Sequence, residues 1–111
     1  FNATKMLLSQ NTGKIPDAIF AGNDLSAIGC MKALASEGYK VPEDISVIGF
    51  DDIEIAEYFR PSLTTVRNPI ARQAVHAIET LINLIDEKEK GSSIKLEGEL
   101  VIRNSCKYKL T

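Results

Sequence analysis

Two stretches of this chain run from apolar residues through glycine into side chains able to do chemistry. Ala18–Asp24 reads AIFAGND, and Ile45–Asp52 reads ISVIGFDD. A short β-branched run closed by Gly reads as a strand buried on both faces, in the middle of a parallel sheet. The C-terminal ends of such strands are where open α/β sheets hold ligands. If the two strands are neighbours, Asn23 and Asp51 overhang one cleft. An amide both donates and accepts hydrogen bonds, and a carboxylate accepts strongly. That pairing suits polyhydroxyl ligands such as sugars and ribosides. The plainer alternative is that Asp24, Asp51 and Asp52 cap the helices that follow them. The roles also divide between neighbours: Asn23 free and Asp24 capping, Asp51 free and Asp52 capping.

Catalysis has little support. The single histidine, His76, sits in a long helical stretch with no obvious partner and reads as a surface or interface residue. Gly13-Lys14 lacks the rest of a phosphate loop, and Ser26 follows no nucleophile elbow. One enzyme-like reading groups Asp24, Asp51 and Asp52 as a magnesium cluster in a phosphoryl-accepting receiver. A receiver also wants a lysine at the end of a late strand, and no residue clearly supplies it. The two cysteines, Cys30 and Cys106, have no metal-like spacing. Cys30 reads as a small core residue, and both thiols fit a reducing cytoplasm. No catalytic residue, metal or cofactor is expected.

The elements that must position these residues form one modest α/β domain in 111 residues. Asn2 is expected to cap a helix over Ala3–Gln10. The first strand is expected at Ala18–Ala21, followed by a helix over Leu25–Ser36 with Asp24 as its cap. Gly38 stops that helix, and the second strand follows, a unit that is almost always a right-handed crossover between parallel strands. One or two helical turns over Ile53–Phe59 and a short strand at Leu63–Arg67 come next. The longest helix is expected over Ile70–Glu87, with Pro69 in its first turn. Its apolar stripe comprises Ala71, Ala74, Val75, Ile78, Leu81, Ile82 and Ile85. Glu87–Ser93 reads as a solvated turn, Ile94–Arg103 as extended, and Asn104–Thr111 as a fraying tail.

Hydrophobic residues make up 44% and charged residues 25%, and the net charge is −2, ordinary values for a globular protein. That balance argues against a nucleic-acid surface within these residues, which would need a dense Lys/Arg face. No apolar run approaches a membrane span, and the opening FNATKMLLSQ carries no signal-peptide pattern.

Three segments in register, PDAIFAGNDLSAIG, VPEDISVIGFDD and RPSLTTVRNP, resemble the C-terminal part of LacI/GalR-type bacterial transcription repressors. The resemblance covers residues 15–103. It implies a partial type I periplasmic-binding-protein-like fold, an open parallel sheet flanked by helices, and a chain that is a fragment of a longer protein. By position, Asn23 and Asp51 match family residues that hydrogen-bond an effector. Ile28 and Phe59 match dimer-interface positions, for which ordinary core packing is the plain alternative. Residues 1–68 would belong to the C-terminal lobe, 69–92 to a crossover helix of the N-terminal lobe, and 93–111 to the strand and tail returning to the C-terminal lobe. The implied partners are a small-molecule effector, a carbohydrate by the family pattern, a second copy of the chain, and DNA through a helix-turn-helix that these residues lack. The implied location is cytoplasmic. A periplasmic-type sugar-binding protein of a transporter is the competing reading. With the first lobe absent, the long helix's stripe implies self-association.

Overall fold

A computed structural model describes residues 1–11, 13–86, 91 and 93–108. In chain order the elements are α1 (Asn2–Gln10), β1 (Ala18–Phe20), α2 (Asp24–Ser36), β2 (Ser46–Ile48), α3 (Ile55–Tyr58), β3 (Thr65–Arg67), α4 (Ile70–Ile85) and β4 (Glu99–Val101). They divide into two compact units. One comprises Phe1–Arg67 with Leu100–Thr111, and the other Asn68–Glu99.

In the first unit, β1 and β2 pair in parallel, with Ala18 opposite Ser46, Ile19 opposite Val47 and Phe20 opposite Ile48. The expected strand–helix–strand crossover is therefore present. Beyond β2 the ladder continues on its other edge. Val47 N–H donates to Ser105 O at 2.8 Å, Gly49 N–H to Thr64 O at 2.9 Å, and Asp51 N–H to Val66 O at 2.8 Å. β2 is thus the central strand, and β3 in turn is hydrogen-bonded to β4.

The core lies on one side of this sheet. Ala27, Cys30, Met31 and Leu34 of α2 meet Ile45, Val47, Ala56 and Leu63. Cys30 is a packing residue, as expected. Burial on both faces is not observed. Ile45 and Val47 are fully buried, while Ile48 is half-buried and Phe20 is 62% exposed. Side chains alternate along a strand, and among the described residues α2 covers the face of Val47. The opposite face, with Ala18, Phe20, Ser46, Ile48 and Cys106, lines an open concavity.

The starts of α1 and α4 differ from expectation in their cap residues. Asn2 lies inside α1, and Phe1 occupies the cap position without a side-chain bond. Pro69, expected in the first turn of α4, is instead its N-terminal cap residue. The tail also differs: Ser105 is fully buried. Its hydroxyl donates to Val47 O at 2.5 Å and accepts from Thr64 N–H at 2.8 Å. A small polar side chain between two strands satisfies both backbones, which prevents fraying at that point. Glu87–Lys90, Ser92 and Lys109 to Thr111, parts of the expected turn and tail, lie outside the described residues.

In the second unit, α4 carries the expected stripe, and no residue of this helix is buried. Val75, Ile78, Leu81, Ile82 and Ile85 are 51–71% exposed. No described helix is long and apolar enough to cross a membrane.

Gly49 is the tightest point of the core. A Cβ there would stand 2.2 Å from Asp24 Oδ1 and 2.9 Å from Leu63 Cδ2. Gly49→Ala should therefore destabilise the chain by at least about 2 kcal/mol, the scale of overpacking. A urea titration showing unchanged midpoint and slope would contradict this packing.

Candidate functional site

The ends of β1, β2 and β3 converge on one edge. Asp24 N–H donates to Phe50 O at 2.9 Å. Asn23 precedes the donor and Asp51 follows the acceptor, so the two expected ligand residues flank a single backbone hydrogen bond. Phe20 and Phe50 stand edge to face there, with ring centroids 6.5 Å apart.

Asn23 and Asp24 exchange the roles expected of them. Asn23 has extended backbone (φ −158°) and is the cap of α2, its Oδ1 accepting from Ser26 N–H at 2.8 Å. The helix starts one residue earlier than the sequence suggested, and that shift moves the cap from Asp24 to Asn23. The cap also orients the amide. The oxygen must face Ser26 N–H, so Nδ2, with its two donors, is the remaining polar group of an exposed side chain.

Asp24 is 1% exposed. Its Oδ1 accepts from Thr65 Oγ1 at 2.5 Å, and its Oδ2 accepts from Ile53 N–H at 2.8 Å. Buried carboxylates need such donors, because an unpaired charge in the interior is far more costly. One side chain thereby ties the start of α2 to the loop after β2 and to β3.

Asp52 is not a cap either. α3 begins after Glu54, which makes no side-chain cap bond. Asp52 instead bridges two arginines: Arg67 Nε to Oδ2 at 2.7 Å and Arg103 Nη2 to Oδ1 at 2.7 Å. Burial pushes its carboxyl upward, but the hydrogen bonds and charges of Arg103 and Arg67 outweigh this and hold it below its ordinary value. Asp51 and Asp52 have φ of 111° and 55°, backbone that Asp tolerates better than most residues.

The three acids therefore do not form the magnesium cluster of the receiver reading. Among the described residues, no group of three or more His, Cys, Asp or Glu could hold a metal ion. His76 lies on α4, 3.7 Å from Glu79. Ile28 and Phe59 are both half-buried against the core. Phe59 also lines a groove of about 530 Å³ with Met31, Ala35 and Pro61. Ile28 shares the α2 face of Met31 and Ala35 by helical spacing. The sequence reading did not single out Thr65, Arg67 and Arg103. The available signal was an arginine ending or following each of two apolar strands, LTTVR and ELVIR.

Comparison with known proteins matches residues 2–106 to the family model of the periplasmic binding protein-like domain. The HTH-type transcriptional repressor PurR of Vibrio campbellii is 46% identical over 95 residues, 85% of this chain and 28% of that protein. The lac repressor dimer bound to operator and the anti-inducer ONPF superposes with a TM-score of 0.85 at 30% identity, over 96% of this chain and 36% of that one. The transcriptional regulator CelR in complex with cellobiose also gives 0.85 at 30% identity, over 94% of this chain and 32% of that one. The chain thus spans less than two-fifths of each of these three proteins.

The Asp52 cluster predicts an acid-sensitive stability term. A carboxyl whose folded value is lowered stabilises the fold fully above its unfolded value, near 3.8. The contribution fades as pH falls through the lowered folded value. The stability gap between wild type and Asp52→Asn should be constant above about pH 5 and shrink below about pH 4. Denaturant titrations across that range check it; a gap that widens on acidification would contradict the ion pairs.

Proposed function

Because the chain belongs to the periplasmic binding protein-like domain family, in the form carried by LacI-type repressors, we propose that it binds a small-molecule effector within a transcriptional repressor. The carrying observation is the pair Asn23 and Asp51 on either side of the Asp24–Phe50 hydrogen bond. In this reading Asn23 Nδ2 donates to the ligand and Asp51 accepts from it. A hydroxyl group serves either partner, which favours a sugar or other polyhydroxyl ligand, and the cellobiose complex of CelR supports that class. A purine edge also offers acceptors beside a donor and is the competing ligand.

The Phe1–Arg67 segment and the returning strand and tail form part of a C-terminal lobe, and α4 belongs to an N-terminal lobe. Ile28 and Phe59 contribute to a homodimer interface, as a lac repressor dimer suggests. DNA is contacted by a segment outside this chain, in the cytoplasm. The effector works by preferring one conformation of the repressor, so its coupling to DNA binding is bounded by that preference, typically about 1–3 kcal/mol. No catalytic step, metal or cofactor enters.

Calorimetry on the repressor carrying this chain, with cellobiose and lactose as sugar probes and adenine as a purine probe, tests the site. Asp51→Ala should weaken the probe that binds by about 1.5–3 kcal/mol, the worth of a charged hydrogen bond. Asn23→Asp should weaken it as well while leaving thermal unfolding unchanged, because Asp retains the cap and loses only the donor. Unchanged affinity in both variants would remove this edge as the site. Phe59→Asp should give folded monomers by sedimentation; an unfolded product would instead make Phe59 a core residue.

A further inference from the structure

The chain leaves the first unit after Arg67 and re-enters it at Leu100. Both of these roots converge on Asp52. Arg67 ends β3, Arg103 follows β4, and each gives Asp52 a hydrogen bond of 2.7 Å. Arg103 is forked: Nη1 donates to Leu63 O at 2.9 Å, and its own N–H donates to Thr64 Oγ1 at 2.9 Å. All these residues lie in the first unit. The side chain of Asp52 is 7% exposed and that of Arg103 is 14% exposed, so this pair is the shielded one, while the side chain of Arg67 is 51% exposed and its pair is the weaker. Exposed pairs contribute little, whereas a shielded carboxylate with two guanidinium donors is held by charge-assisted bonds that break at a cost.

Asp51, the proposed ligand acid, is bonded to the same root, through its N–H to Val66 O. The backbone orientation of Asp51 therefore depends on β3 staying in place, and Asp52 holds β3 through Arg67. We propose that Asp52 is a positioning residue that latches both roots of the Asn68–Glu99 excursion and thereby holds Asp51 in its binding orientation. The second half of that statement rests on reading Asp51 as a ligand contact; the latch does not.

Native-state hydrogen exchange on the full chain without ligand tests the latch directly. The reporter amides are Asp51 and Arg103 at the roots, with Ala21, bonded to Ile48 O, in the β1–β2 ladder as the reference. In Asp52→Asn the Asp51 and Arg103 amides should exchange at least about tenfold faster, the loss of one charge-assisted hydrogen bond. The Ala21 amide, exchanging by local opening of the β1 edge that leaves the Asp52 bonds intact, should be unchanged even though the variant loses global stability. Arg103→Lys keeps the charge but loses the fork, and should release the same two amides if Asp52→Asn does not fold. Equal acceleration at Ala21 would make Asp52 a residue of general stability, and no acceleration at the roots would remove the latch; either result overturns the proposal. A latch confirmed here, together with calorimetry unaffected by Asp51→Ala, would retain the latch and discard only the ligand role of Asp51.

Discussion

A carboxylate buried where Gly49 lacks a side chain holds the strand ends together. Asp24 Oδ1 occupies the space that a Cβ on Gly49 would need. From there the carboxylate accepts from Thr65 Oγ1 and from Ile53 N–H. The buried carboxyl group is accommodated because its donors come from fixed elements, β3 and the turn after β2. The glycine is needed for close approach, not for a special backbone angle. Without that approach the start of α2 could not lie against the end of β2, and Asn23 and Asp51 would not share an edge.

Three aspartates near this edge illustrate how environment separates identical side chains. Asp24 is enclosed and bonded to a hydroxyl and an amide. Asp52 is shielded by two guanidinium groups that hold its carboxyl in the charged form. Asp51 lies between them in sequence, half-buried, with its backbone tied to Val66. Asp51 and Asp52 are two consecutive residues of positive φ. Such backbone costs about 1–3 kcal/mol per residue and persists where neighbouring contacts determine it. Here those contacts include the arginines on Asp52 and the β3 backbone on Asp51.

The second unit makes a different point about packing. The apolar stripe of α4 is as regular as that of a core helix, yet none of its residues is buried within the described chain. A stripe of five large aliphatic side chains would gain on the order of several kcal/mol from burial at about 25 cal/mol per Å². Regular spacing of apolar residues specifies a helix and the face it wants covered. It does not specify the surface that covers that face.

The order of elements, the parallel β1–β2 pair and the clustering of polar residues at their ends were legible in the residues alone. These follow from local periodicity, from glycine punctuation and from the handedness of crossovers, all of which act over a few residues. The sequence also carried the family through three motifs in register. Roles that depend on a partner far along the chain were decided only by tertiary structure. The cap passed from Asp24 to Asn23 because Thr65, 41 residues away, and Ile53 claim the Asp24 carboxylate. Asp52 became an ion-pair centre because Arg103, 51 residues on, returns beside it. Ser105 became a buried strand partner because its hydroxyl serves both Val47 and Thr64. Hydrogen bonds and charges are satisfied by whatever lies nearest in space, and sequence spacing carries no record of that proximity.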